Sequence, residues 1–289
     1  MRRPLTAEQV ARAFHDACLA ELDALKPGNV HRFGGDQPGV ADFETSARVA
    51  APSLAAPGLR VGTRIRESVE ATFEAVGHNT NLGIILLCAP LAAAALDNAT
   101  GDLRSRLAKV LAGLSIVDAR ECYAAIRYAR PGGLGEAPAH DVGGEPNVTL
   151  LDAMAAAEDR DRIAWNYTHD FADIFDLGMP RLQRAVADSG SARRATTAVY
   201  LRFIATIPDT LIERKFGIAQ AIEVQQEAEA LAARLDGLSH PKTVEPDLMA
   251  FDQSLKARGL NPGTSADLTV ATLFAASLQA LELGCQSPL

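Results

Sequence analysis

Apolar residues recur along most of the chain with the spacing of amphipathic helices. The first example follows the pair Thr6 and Gln9, which is typical of a capping box. It places apolar residues at every fourth position: Val10, Phe14, Cys18 and Leu22. β-branched residues never cluster with the two-residue alternation of a strand. The pattern therefore predicts an all-α fold.

The periodic segments predict about a dozen helices in a single domain that covers residues 1–289, with no repeat or linker. The expected ranges are 6–25, 42–55, 61–76, 77–96, 102–111, 115–128, a helix from 149, 160–175, 196–207, 217–235, 242–258 and 265–283. Gly178-Met179-Pro180 and Pro208-Asp209-Thr210 are expected to break the helices.

The stretch 77–96 joins a polar head, GHNTN, to a body that is apolar on all sides. Such a body predicts a buried helix around which the bundle is organised. It is shorter than the roughly 20 apolar residues of a membrane span. Because a helix N-terminus attracts phosphate, the polar head indicates either a ligand site or a well-capped core helix.

Composition narrows the function classes. Hydrophobic residues make up 48% of the chain and aromatic residues only 5%, so the core is expected to consist of Ala, Leu, Ile and Val. A net charge of −8 argues against a nucleic-acid surface. The four cysteines are far apart and are expected to be reduced and buried, as in a cytoplasmic protein. The N-terminus lacks the apolar segment of a secretory signal, and no membrane partner is expected.

Most of the predicted helix ends combine Gly or Pro with polar side chains. They are Lys26–Asn29, Gly77–Asn81, Asp141–Gly144, Pro208–Thr210 and Asn261–Asp267. Each alone is explained as a helix cap or a turn, with Thr264 and Ser265 at an expected N-cap. Together, such ends can converge on one cavity of a helical bundle. The long non-helical segment 130–147 could line that cavity as a lid or as a wall.

These motifs resemble the triphosphoribosyl-dephospho-CoA synthase family. The resemblance rests on KPGNV at 26–30, NTNLG at 79–83, Asp209-Thr210 followed by Arg214-Lys215, and NPGTSADL at 261–268. It covers nearly the whole chain in the family's order. The resemblance implies an all-α enzyme that transfers the triphosphoribosyl group of ATP to the 2′-hydroxyl of 3′-dephospho-CoA and releases adenine. The product would be a prosthetic-group precursor.

The chain departs from the usual family pattern at three places. It has Asn81 where family members carry His, and Asn29-Val30-His31 where they carry Leu-Val-Asp. A family Gly-Ala-His-x-Asp-Met segment has no counterpart around Asp36–Asp42. The sequence resembles a divergent branch from archaea and C1-metabolising bacteria. The acceptor therefore stays open and includes a C1-carrier cofactor precursor of the methanopterin or methanofuran type.

The reaction that the resemblance implies needs a neutralised triphosphate, a base for the acceptor hydroxyl and negative charge near the sugar. The expected catalytic residues are Glu21, as base, with Asp209 and Asp267. The candidate ligands for Mg²⁺ are Asp209 and Asp267, followed by Asp141 and Glu67. Nucleotide or phosphate contacts are expected from Lys26, Gly28, Asn79, Thr80, Arg214, Lys215, Gly263 and Ser265. His31 and His78 are further acid or base candidates. Each of these residues could instead be a helix cap, a surface charge or a turn residue.

Three functional hypotheses follow. The first is an ATP-dependent transferase acting on a small cofactor precursor. The second is a Mg²⁺-dependent hydrolase of N-glycosidic or phosphoanhydride bonds. The third is a helical subunit without catalysis, which Asn81 in place of His would favour. Retention of Lys26, Asp209 and Asp267 argues against the third. A homodimer is possible, although no heptad pattern requires one.

Overall fold

The computed structural model describes residues 3–33, 39–135, 139–236 and 245–285. Over these ranges it contains fourteen α-helices, one π-helix and no strand, so the all-α prediction is confirmed. The α-helices are α1 (Ala7–Asp23), α2 (Val40–Leu54), α3 (Val61–Val76), α4 (Leu82–Leu96), α5 (Leu103–Ala112), α6 (Ile116–Ala129), α7 (Leu150–Ala155), α8 (Arg162–Thr168), α9 (Met179–Ser189), α10 (Ala192–Thr206), α11 (Thr210–Phe216), α12 (Ile218–Asp236), α13 (Glu245–Ala257) and α14 (Gly263–Leu283). The π-helix is Asp173–Gly178.

Local capping determines where several helices begin. Thr6, Ser115 and Thr149 each accept a hydrogen bond from a backbone N–H in the first turn of their helix, and each forms a complete capping box. These bonds satisfy donors that a helix start would otherwise leave unpaired. The predicted starts near these residues are therefore confirmed. The predicted start of α13 at Lys242 lies outside the described residues, as does Asp36.

Helix α4 is buried along almost its whole length, and Ile85, Leu87 and Cys88 have no exposed surface. It packs against α1, α2, α3, α5, α8 and α14. Helix α14 is buried to a similar extent. Because α4 is apolar on every side, neighbours can cover all its faces.

A second cluster of apolar side chains lies under α10, α12 and α13 and includes Leu25. Its Tyr200 hydroxyl donates a hydrogen bond to the carbonyl oxygen of Pro27, at 2.8 Å. This cluster therefore anchors the turn that follows α1.

The predicted helix 160–175 is wrong in its middle. Asp170 and Phe171 have φ values of 47° and 55°, which end α8 and begin a new helical segment. The predicted break at Gly178 is also wrong, because Gly178 is helical and the π-helix continues into α9. A Cβ at Gly178 would lie 2.8 Å from Cζ of Phe203, so glycine serves close packing here. Pro180 lies in the first turn of α9 and supplies no N–H to the helical hydrogen bonds there.

Cys18, Cys88 and Cys122 are buried free thiols, as predicted, but Cys285 is exposed beyond the end of α14. Within the described ranges, α14 is the one helix long and apolar enough to cross a bilayer by length and composition, and 67% of that apolar window is buried inside the fold.

Candidate active site

Four helices, α4, α8, α11 and α14, begin close to one another. The backbone N–H of Arg162 in α8 donates to the Thr210 hydroxyl at 3.3 Å. That hydroxyl lies 3.0 Å from the hydroxyl of Thr264 in α14. Helix N-termini carry partial positive charge, so this meeting point favours anions.

Asp209 joins two of these helices. Its Oδ1 accepts hydrogen bonds from the N–H groups of Leu211 and Ile212, at 3.0 and 3.2 Å, and so caps α11. Its Oδ2 accepts from the backbone N–H and the hydroxyl of Ser265, at 2.8 and 2.9 Å. Burial raises the pKa of Asp209, and these hydrogen bonds oppose the rise. Asp209 therefore positions α11 and α14 relative to each other.

The start of α14 differs from the prediction. Its N-cap is Pro262, which supplies no side-chain hydrogen bond. Thr264 and Ser265 lie inside the first turn, so their predicted N-cap position is wrong. The side chain that caps this turn, Asp209, comes from a different helix. A Cβ at Gly263 would collide with the Leu211 side chain, so glycine permits the close approach of α11.

Asp267 lies one turn further along α14 and is half-buried. Its carboxyl group rests against the first turn of α4, because a Cβ built on Gly83 would lie 2.6 Å from its Cγ. Asp267 forms no hydrogen bond or ion pair with any residue in the described part of the chain. A carboxylate with uncommitted oxygens beside a helix N-terminus is therefore available to a ligand.

Four charged side chains act electrostatically on Asp267. Burial raises its pKa well above the usual range, and the carboxylates of Asp209, Glu21 and Asp161 raise it further, whereas Arg214 lowers it. A concentration of negative charge at a half-buried position favours a bound cation.

Glu21 and Lys26 form an ion pair that is almost wholly buried, with 3% and 1% of each residue exposed. The Nζ of Lys26 also donates to Oδ1 of Asn29, at 3.2 Å. Burial lowers the pKa of Lys26 and raises that of Glu21, and each partner opposes the other's shift. The charge of Asp267 also raises the pKa of Lys26, which places the Glu21–Lys26 pair within electrostatic reach of Asp267.

The turn after Lys26 is held by residues distant in sequence. The N–H of Gly28 donates to Oδ1 of Asp252 at 2.9 Å, and that carboxylate lies 3.3 Å from Nε2 of His31 and 3.0 Å from Nζ of Lys256. Gly28 has a φ of 80°, and a Cβ there would lie 2.8 Å from the carbonyl oxygen of Leu260, so only glycine fits. The predicted site residues Gly28 and His31 therefore lie in one buried cluster.

The amide of Asn29 extends this arrangement to α14. Its Nδ2 donates to Oδ1 of Asn261, at 2.8 Å. The two motifs KPGN and NPGTSADL are thus in direct contact across 232 residues of chain.

The polar head of α4 is mostly occupied by its own contacts. Oδ1 of Asn79 accepts from the N–H of Leu82 at 3.1 Å, and the Thr80 hydroxyl lies 2.6 Å from that of Ser46 in α2. Asn81 is buried, and its Nδ2 has no hydrogen-bond partner among the described residues. An amide left in this state at the N-cap of α4 is a donor that a ligand oxygen could satisfy.

The two predicted cations of α11 differ. Arg214 is half-buried, with NH1 3.5 Å from Oδ2 of Asp161 and a buried Nε that has no hydrogen-bond partner among the described residues. Lys215 is exposed and packs beside Gly132. Arg214 thus faces the site, whereas Lys215 lies at its edge.

Three predicted residues lie away from these contacts. Glu67 is half-buried on α3 and bonds to no side chain in the described ranges. His78 is exposed, 3.6 Å from a carboxylate oxygen of Asp42. Asp141 accepts a hydrogen bond from the N–H of Gly143 at 2.7 Å, in the loop after α6.

A cavity of about 360 Å³ adjoins the site, and Asp161 and Arg214 belong to both. The loop after α6 forms one side of it. Tyr123 and Arg127 of α6 donate to the carbonyl oxygens of His140 and Val142, at 2.5 and 2.7 Å. These bonds hold this part of the loop against α6.

Sequence reasoning missed Asp161 and Asp252. Asp161 precedes α8 and accepts from the N–H of Ile163 at 2.8 Å, so an N-cap signal was present. Asp252 lies within α13, four residues before Lys256, a spacing that indicates only a helix-surface pair.

The model of one protein family matches residues 7–285, and its description is ATP:dephospho-CoA triphosphoribosyl transferase. A protein of Klebsiella pneumoniae named 2-(5''-triphosphoribosyl)-3'-dephosphocoenzyme-A synthase is 29% identical, over 99% of this chain and 95% of its own length. A Pseudomonas savastanoi pv. phaseolicola protein, given the same name with the qualifier "probable", is 26% identical over 94% of this chain and 92% of its own.

A crystal structure of an Archaeoglobus fulgidus protein, named a triphosphoribosyl-dephospho-CoA synthase with the qualifier "putative", has a TM-score of 0.63 at 21% identity. The match covers 81% of this chain and 97% of that one, and it shows a common fold. Since the family model matches residues 7–285, and with them every residue that builds the site, the chain belongs to the ATP:dephospho-CoA triphosphoribosyl transferase family.

Proposed function

We propose that this protein transfers the triphosphoribosyl group of ATP to the 2′-hydroxyl of 3′-dephospho-CoA, with release of adenine. The observation that carries the proposal is the uncommitted carboxylate of Asp267 at the meeting point of four helix N-termini. Family membership supplies the reaction class.

The positive groups of the site suit a triphosphate. Helix N-termini bind phosphate through their backbone N–H groups and dipoles. Arg214 and the Lys26–Glu21 pair lie within electrostatic reach of Asp267, and the unsatisfied Nε of Arg214 and Nδ2 of Asn81 are donors for phosphate oxygens. Lys215 would reach the triphosphate only from the rim.

Mg²⁺ fits the same site. It is usually bound by one or two carboxylates together with substrate phosphates and waters, rather than by a cage of side chains. This matches the described residues, in which no three His, Cys, Asp or Glu side chains form a metal cluster. Asp267 would hold the ion, whereas the oxygens of Asp209 are already occupied by four donors. When bound, Mg²⁺ neutralises charge on the triphosphate.

The transfer breaks the bond between C1′ of ATP and N9 of adenine, and the electron pair leaves with adenine. The acceptor oxygen bonds to C1′, and the proton of its hydroxyl is carried, in the net reaction, by the released adenine. Glu21 is our candidate for the group that first accepts this proton, because burial raises its pKa towards the working pH. The carboxylates near Asp267 would stabilise positive charge that develops on the sugar.

The test is adenine release, measured by chromatography after incubation with ATP, Mg²⁺ and 3′-dephospho-CoA. Adenine and the triphosphoribosylated acceptor should form in equal amounts, and Asp267→Asn should lower both at least about 10²-fold while leaving a measurable residual activity. Asp188→Asn, an exposed carboxylate of α9, is the matched control and should be fully active. Adenine release without an acceptor would instead indicate the hydrolase. Release only with a C1-carrier precursor would change the acceptor, and no release with any acceptor would refute the transferase.

We also propose a cytoplasmic location. Cys18, Cys88, Cys122 and Cys285 are free thiols, which supports a reducing compartment.

A further inference from the structure

The cavity of about 360 Å³ shares residues with the proposed triphosphate site. Asp161 and Arg214 line it and also act on Asp267. Ile163 lines it too, and its Cδ1 would lie 2.9 Å from a Cβ on Gly83, next to the Asp267 carboxyl group. In ATP the base and the triphosphate project from opposite ends of the ribose. A triphosphate held at the helix N-termini would therefore direct the base towards this cavity.

The walls of the cavity are mainly aliphatic. Leu86, Ile126, Met154 and Ile163 contribute apolar surface from α4, α6, α7 and α8. Such side chains pack well against both faces of a flat ring.

The charged groups of the cavity include carboxylates that suit an amino group. Asp141, Asp161 and Glu213 line it beside Arg160 and Arg214, so the carboxylates outnumber the guanidinium groups. Carboxylate oxygens accept hydrogen bonds from an exocyclic amino group, whereas they repel phosphate. The volume, about 360 Å³, lies at the lower end of ligand pockets, roughly 300–1,000 Å³, and suits one part of a nucleotide.

We propose that this cavity binds an adenine ring. The proposal rests on the proposed function and names the part of the substrate that this face of the site receives. Both substrates carry adenine, so the ring could belong to ATP, as the leaving group, or to 3′-dephospho-CoA.

Free adenine is the probe, titrated calorimetrically into the full-length protein and two variants that fill the cavity. Ile126→Trp adds bulk to the α6 wall, and Leu134→Trp adds it at the rim, where Leu134 is 42% exposed and the fold tolerates a larger side chain. The matched control is Val117→Trp, on α6 but 40% exposed and outside the cavity. We expect adenine to bind the parent and Val117→Trp equally, and both cavity variants at least about tenfold more weakly.

Binding of inorganic tripolyphosphate with Mg²⁺ keeps this test separate from that of the proposed function. Tripolyphosphate binding should be unchanged in Leu134→Trp. This variant therefore tests the adenine site even if Ile126→Trp fails to fold. Parent protein that binds tripolyphosphate but not adenine, or adenine affinity that is equal in the parent and Leu134→Trp, would overturn the adenine site alone. Parent protein that does not bind tripolyphosphate with Mg²⁺ would instead refute the proposed function.

Competition identifies the source of the ring. If saturating adenine weakens ATP binding and leaves that of 3′-dephospho-CoA unchanged, the cavity holds the leaving group. The reverse result assigns it to the acceptor. Adenine that binds without affecting either substrate would overturn the proposal.

Discussion

Gly83→Ala separates catalysis from stability at this site. Gly83 lies in the first turn of α4, and its Cβ would lie 2.6 Å from Cγ of Asp267 and 2.9 Å from Cδ1 of Ile163. Carbon atoms in ordinary contact are about 3.5 Å apart, so the Asp267 carboxyl group must move by about 1 Å. Both affected atoms are at the ends of side chains, so the backbone can stay in place.

Gly83→Ala should change the free energy of unfolding much less than the activation free energy of the reaction. Replacing Gly by Ala in a helix stabilises it by about 1 kcal/mol. Forcing Asp267 away from its preferred rotamer costs about 0.5–1.5 kcal/mol, so the free energy of unfolding should change by less than about 1 kcal/mol. A misplacement of about 1 Å at a reacting centre costs about 10²-fold in rate, or roughly 2.7 kcal/mol of activation free energy.

Adenine release and urea unfolding measure these two effects on the same preparation. The control is Gly83→Ala in the Asp267→Asn background, where no carboxylate remains to be displaced and no further loss of activity is expected. Gly83→Ala protein with parental activity would refute the role given to Asp267. An equal loss in both backgrounds would mean that the substitution acts elsewhere.

Three further predictions concern the buried acids. Asp209→Ala removes the caps of α11 and α14 together, and urea unfolding should show a loss of about 2–4 kcal/mol; a loss below about 1 kcal/mol would contradict the double-cap role. Lys26→Met leaves Glu21 buried without its partner and should lower the free energy of unfolding by about 3–5 kcal/mol. Adding Glu21→Gln to the same chain should restore much of this loss. Losses that simply add in the double variant would argue against the ion pair. The folded protein raises the pKa of Asp267, so the free energy of unfolding should fall as pH rises from the usual carboxyl range through the folded pKa. Urea unfolding at a series of pH values should show this fall in the parent but not in Asp267→Asn. The same pH dependence in both proteins would refute the prediction.

Local signals made much of the helical fold predictable. The capping residues Thr6, Ser115 and Thr149 act on N–H groups within three positions, so the sequence around each is sufficient. The break at Pro208-Asp209-Thr210 is likewise visible locally. By contrast, the left-handed residues Asp170 and Phe171 and the π-helix arise from packing and have no local signal.

The contacts that build the site are distant in sequence and could not be derived from it. Asp209 caps a turn 56 residues away, and Asp252 binds an N–H 224 residues away. The motifs indicated that these loops carry function. Which carboxylate keeps its oxygens uncommitted depends on tertiary packing, and the prediction gave Asp209 and Asp267 the same role.

The most direct test of the central claim is calorimetric titration of ATP into the parent and into Asp267→Asn, with and without Mg²⁺. We expect the parent to bind ATP strongly only with Mg²⁺, and Asp267→Asn to lose this dependence while its unfolding shows an intact fold. ATP binding that is equal in both proteins, or absent from the parent under every condition, would contradict a metal–triphosphate site at the four helix N-termini.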